Sequence, residues 1–164
     1  LKLFEEIETN GKDLGLKLYG NRALMSLRLE KNWGAWTLDF RPDFTAVESG
    51  LDLFINWKKD FIGKEFTLNE KEHGSKKKLV TLIVDTEDID VTNDEAILKD
   101  NKCIGYVTSG GYAHHVKKSM ALGYLPSKLA KHNTVVDIEI NGMLYSAKIT
   151  EKPLYDDNGG RLKS

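Results

Sequence analysis

The stretch of this 164-residue chain with the most chemical potential is "GYVTSGGYAHHVKKSMALGYL", residues 105 to 125. It sets a Ser-Gly-Gly turn, two adjacent histidines and a lysine pair between two apolar runs. A phosphate loop needs a lysine and a hydroxyl directly after its glycines, so that the lysine reaches the outer phosphates while backbone amides cradle the inner ones. "TSGGYAHH" supplies neither. A metal site needs convergent ligands, but adjacent side chains such as His114 and His115 point to opposite faces of a strand and diverge on a helix. Read by itself, the stretch is a polar turn between two strands.

Other candidates fail in similar ways. "DTEDIDVTNDE" (85 to 95) gathers acids as a calcium loop does, but Asn93 replaces the turn glycine and Lys99 stands where the bidentate glutamate belongs. It reads as an acidic surface loop. Cys103 sits in an apolar, strand-like run and reads as a small core residue rather than an activated thiol. As the sole cysteine it excludes an intramolecular disulfide and any multi-cysteine metal site, and it fits a reducing compartment, the cytoplasm. The formal net charge of −1 gives no global positive field for nucleic acid or anionic lipid, and Lys76 to Lys78 read as a solvated turn. No apolar run approaches the ~20 residues of a membrane helix. Nucleic-acid and membrane partners are therefore not expected.

Leu3, Phe4 and Ile7 recur at helical spacing, with Asn10-Gly11 as the expected stop. "NRALMSLRLEK" (21 to 31) suits a helix with Asn21 as its N-cap. "GLDLFINW" (50 to 57) alternates as a strand would, and "KDFIGKEFTLNEKEHG" reads as a turn followed by a polar helix that stops at Gly74. After Gly74 the texture becomes short β-branched runs separated by turns. Asn141-Gly142 between two alternating runs is a strong hairpin signal. The expected class is α+β, with an antiparallel β-barrel or sandwich in the second half and a boundary near residues 70 to 77.

"YGNRALMSLRLEK", "FTAVESGLDLFI", "KDFIGKE", "IGYVTSGGYAHHVKKSMALGYL" and "KPLYDDNGGRLKS", in this order, resemble the C-terminal part of the dimethylglycine and sarcosine dehydrogenases. Their last domains are similar to the folate-binding T protein of the glycine cleavage system. The resemblance implies the end of a ferredoxin-like α+β lobe over residues 1–73 and a small antiparallel barrel lobe over 74–164. It implies one-carbon transfer from a small N-methyl amine to tetrahydrofolate, with FAD in the full-length protein but not bound here. The catalytic carboxylate and the flavin fingerprint would then lie outside these residues, leaving no catalytic residue in this chain.

A stand-alone aminomethyltransferase, a folate-dependent demethylase and a non-catalytic folate-sensing module are the alternatives. The site residues the resemblance suggests are Arg22 toward the folate tail, Trp36 as a stacking face or a core aromatic, and Tyr112 at the cleft between lobes. Arg28 and Glu30 are expected to form a structural ion pair.

Overall fold

The computed structural model describes residues 1–163; Ser164, the last residue of the expected second lobe, lies outside them. Helices α1 (Lys2–Gly11), α2 (Asn21–Glu30) and α3 (Lys64–His73) precede six strands: β1 (Lys77–Val84), β2 (Ala96–Lys99), β3 (Lys102–Ala113), β4 (Lys118–Pro126), β5 (Val135–Ile140) and β6 (Met143–Thr150). A short α4 (Gly160–Lys163) follows. The α+β class expected from the sequence is the class observed.

The strands close into an antiparallel barrel in the order β1-β4-β3-β2-β5-β6, with β6 returning to β1. Closure removes the unpaired edges that an open sheet would present. Alternation decides which residues fill it: on β5, Val136, Ile138 and Ile140 are buried while Val135 and Glu139 are exposed. These meet Val80, Leu82, Val84, Ala147 and Ile149 in one core. Each fully buried aliphatic side chain contributes on the order of 1.5–3 kcal/mol. Asn141 and Gly142 join β5 to β6 with φ of 50° and 79°, the doubly left-handed pair that a two-residue hairpin needs.

Strand β4 is buried on both faces, because residues 39 to 49 lie across its outer side. There Phe44 stacks on Tyr124 with ring centroids 3.4 Å apart. The centre of this contact is Asp39, which is 0% exposed. Its Oδ2 accepts from Arg28 Nη1 of α2 at 2.8 Å and from the Ala35 amide at 2.7 Å. Its Oδ1 accepts from Ser109 Oγ at 2.8 Å and from Thr108 Oγ1. Four donors occupy the roughly four lone-pair positions of a carboxylate.

Successive residues of a regular strand face opposite ways. A bulge in β3 between Val107 and Ser109 lets both hydroxyls reach the same oxygen. The Asp39 carbonyl also accepts from the Tyr124 phenol at 3.0 Å, so the Ser49 hydroxyl donates to that phenol oxygen at 2.7 Å.

Several expectations are corrected. Arg28 pairs with Asp39, not Glu30, whose Oε1 instead accepts from the His115 amide at 2.7 Å; residues two apart on a helix do not face each other. Residues 50 to 57 are not a strand but a 3-10 turn over Asp52–Phe54. Gly50 turns left-handed at φ 69°, and Phe54 packs edge-on against Trp33 rather than joining a ladder.

The first helix runs on through a 3-10 turn to Leu14 and ends at left-handed Gly15. Gly20, not Asn21, caps α2. Cys103 is exposed at the start of β3, where its side chain falls on the outer face of the barrel.

The C-terminal segment returns to α2. Tyr155 N donates to Glu30 O at 3.2 Å, and Lys31 Nζ reaches the Asp156 carbonyl at 2.6 Å and its carboxylate at 3.2 Å.

Replacing Asp39 with Ala would leave Arg28 buried without its counter-charge. We expect a loss of about 3–5 kcal/mol in urea unfolding. Burial, with help from the Asp39 and Glu48 charges and against the Ser49 hydrogen bond, pushes the Tyr124 phenol up to about 12. A raised folded value means the native state prefers the protonated phenol. Its contribution is therefore complete below the unfolded value of about 10 and is lost between there and about 12. Stability curves across this range, with ultraviolet titration of the tyrosines, should show one late-ionising phenol that disappears in Tyr124→Phe.

Candidate functional site

A cleft of about 490 Å³ opens where the first turns of α2 meet the upper end of β3 and the loop at residues 90–92. Arg22, Met25 and Ser26 form the helix wall; Gly110, Gly111 and Tyr112 form the strand wall. Positions 22, 25, 26 and 29 of a helix share a face, and that face of α2, with Asn21 and Ala23 beside it, lines the cleft.

The glycines let the parts approach. A Cβ on Gly110 would lie 2.7 Å from the Val91 carbonyl oxygen and 2.8 Å from its Cγ1, so the 90–92 loop closes directly onto bare backbone. Gly111 takes a φ of 149°, which side-chain-bearing residues rarely adopt.

Two of the three residues expected at the site meet here. Arg22 is exposed on the first turn of α2 and, among the described residues, has no ion-pair partner. Tyr112 is 38% exposed, with its ring edge-on to His114 at 5.1 Å. Trp36 is not among the lining residues. It is 78% exposed, edge-on to Phe40 at 5.9 Å, and so is not a core aromatic.

His114 and His115 are both exposed, as are Lys117 and Lys118. His115 packs edge-on to Tyr155. No group of three or more potential metal ligands gathers among the described residues. No described helix is long and apolar enough to cross a membrane.

Sequence reasoning missed Ser26. Its hydroxyl donates to the Tyr112 carbonyl at 2.9 Å and accepts from the His114 amide at 3.2 Å. The one available signal was a serine inside an otherwise apolar helical stretch, where a hydroxyl gains nothing unless it finds a partner.

The fold and cleft define a closed antiparallel barrel module with a cleft on its outside, against a preceding helical segment. The glycine cleavage T-protein C-terminal barrel domain matches residues 77–156, and the GCVT N-terminal domain matches residues 1–59. The mitochondrial dimethylglycine dehydrogenase of Mus musculus is 38% identical over 154 residues, covering 93% of this chain and 18% of the relative.

The aminomethyltransferase of Caldanaerobacter subterraneus subsp. tengcongensis is 35% identical over 157 residues, covering 95% of this chain and 42% of the relative. The crystal structure of the glycine cleavage system aminomethyltransferase T from Bartonella henselae shares the fold, with a TM-score of 0.82 at 24% identity over 95% of this chain and 44% of that one. The chain belongs to the glycine cleavage T-protein family, as an aminomethyltransferase-type domain. It spans less than half the length of each of these relatives.

Gly110→Ala should force the 90–92 loop off the strand. The expected cost is about 1–3 kcal/mol, read by chemical denaturation. Faster amide exchange at residues 90 to 92 than in the rest of the barrel would locate the displacement.

Proposed function

We propose that this chain is the C-terminal, tetrahydrofolate-binding part of a flavin-dependent dimethylglycine or sarcosine dehydrogenase. The full-length protein would move one-carbon units from small N-methyl amines to tetrahydrofolate. The observation that carries the reading is the cleft between α2 and Gly110–Tyr112, which joins a cationic and an aromatic side chain on opposite walls. Its support is the 38% identity to a dimethylglycine dehydrogenase along 93% of the chain.

The residues present suit part of a folate. The Arg22 guanidinium offers charge-assisted donors to the carboxylates of its glutamate tail, and the half-exposed Tyr112 ring offers a face to a flat aromatic group. Tetrahydrofolate held there would supply the amine that captures the carbon. The role of this chain is to orient the folate and wall off one side of it. Trp36 would then contact folate only beyond the cleft, on its own exposed surface.

These residues do not suit FAD. The dinucleotide fold is a parallel sheet opened by a Gly-rich turn, whereas every ladder of this barrel is antiparallel. In this reading the flavin, the pterin-holding acid and the catalytic carboxylate belong to other parts of the full-length protein. Residues 1–73 are the end of its folate-binding α+β lobe, and 74–164 are its barrel lobe.

A stand-alone aminomethyltransferase is the second reading, favoured by relatives such as the Caldanaerobacter enzyme, of which the match covers the larger share.

Calorimetry with tetrahydrofolate should give weak binding by the isolated 164-residue chain and stoichiometric binding by the full-length protein. Tight binding by the isolated chain would sink the assignment of the pterin site elsewhere. Flavin absorbance in the full-length protein decides for the dehydrogenase, and its lack decides for the aminomethyltransferase.

A further inference from the structure

The far end of β3 has a neighbour on one side only. Strand β4 pairs with Tyr112 and Ala113 through Ser119 and Lys118, while β2 reaches only as far as Tyr106. On the open side, the Ser26 hydroxyl takes the amide proton of His114 and gives its own proton to the Tyr112 carbonyl. A parallel strand would bond this edge in the same way, accepting from one residue and donating to the carbonyl two before it. One hydroxyl, 86 to 88 residues away in sequence, replaces that strand around buried Ala113.

We infer that Ser26 is a positioning residue for the cleft: it sets the separation between Arg22 and Tyr112. Arg22 and Ser26 stand four apart on α2, on one face of the helix. Tyr112 and His114, whose backbone groups Ser26 holds, carry the two rings that pack edge-on at 5.1 Å. Anchoring the Tyr112 carbonyl therefore fixes where its ring enters the cleft, and the helix carries Arg22 to a set place opposite. Alanine is the better helix former at an interior position, so the local sequence would do better without the hydroxyl. Its benefit lies across the gap. This inference rests on the cleft being the folate site.

The test titrates the full-length protein with tetrahydrofolate. Ser26→Ala should weaken binding about tenfold, a typical consequence of losing one or two hydrogen bonds. It should raise the KM for folate, leave kcat at saturation near its original value and shift the melting midpoint little, because better helix propensity offsets the lost contact. Ser26→Thr should restore affinity and Ser26→Val should not, since these two share a shape and differ by the hydroxyl. That pair decides the matter even if the Ala variant unfolds.

Wild-type affinity in the Val variant, with Tyr112→Ala weakened, would overturn the role of Ser26 and leave the folate site standing. A Thr variant as weak as Val would likewise overturn it. A full-length protein that binds no tetrahydrofolate would overturn the folate reading and this inference together.

Discussion

A buried carboxylate needs its charge matched and its lone pairs filled, and this fold is assembled around meeting that demand for Asp39. The aspartate takes a guanidinium from α2, an amide from its own turn and two hydroxyls from β3, and its carbonyl takes the phenol of β4. Burial pulls the Arg28 guanidinium below its ordinary value, against the opposing Asp39 charge and hydrogen bond. Helix, turn and barrel therefore share one electrostatic solution. The position of α2, and with it one wall of the cleft, follows from that solution.

The barrel strands were legible because their signals are local. Period-two alternation in "VVDIEI" and Asn-Gly at 141–142 depend on neighbours within a few residues. So was the polar helix before Gly74, which ends at the glycine. The Arg28 partner was not legible, since the aspartate lies eleven residues on and reaches it through an irregular turn. Nor was the bulge that turns Thr108 and Ser109 to the same side, because "VTSG" carries no mark of an extra residue. The alternation in "GLDLFINW" misled for the opposite reason: a closed barrel had no place for another strand, and the aromatic of that segment was wanted by Trp33.

The cleft was half legible. Arg22 and Tyr112 were singled out through resemblance, and both line it. Ser26 and the 90–92 loop were not, because their part depends on contacts 86 or more residues apart and on a glycine that admits a carbonyl oxygen closely. Trp36 shows the limit of such transfer. An aromatic in the right order along the chain stands outside the cleft, edge-on to Phe40.

The return of Tyr155 and Asp156 to the end of α2 bears on the order in which the molecule forms. Lys31 and Asp156 are 125 residues apart, and every strand of the barrel is translated between them. Closing so long a loop costs more entropy than pairing neighbouring strands. During synthesis α2 emerges early but lacks its final latch until Tyr155 and Asp156, which follow the sixth strand, have been added. A chain that stops at the sixth strand therefore leaves the end of α2 without the contacts that Tyr155 and Asp156 make to Glu30 and Lys31.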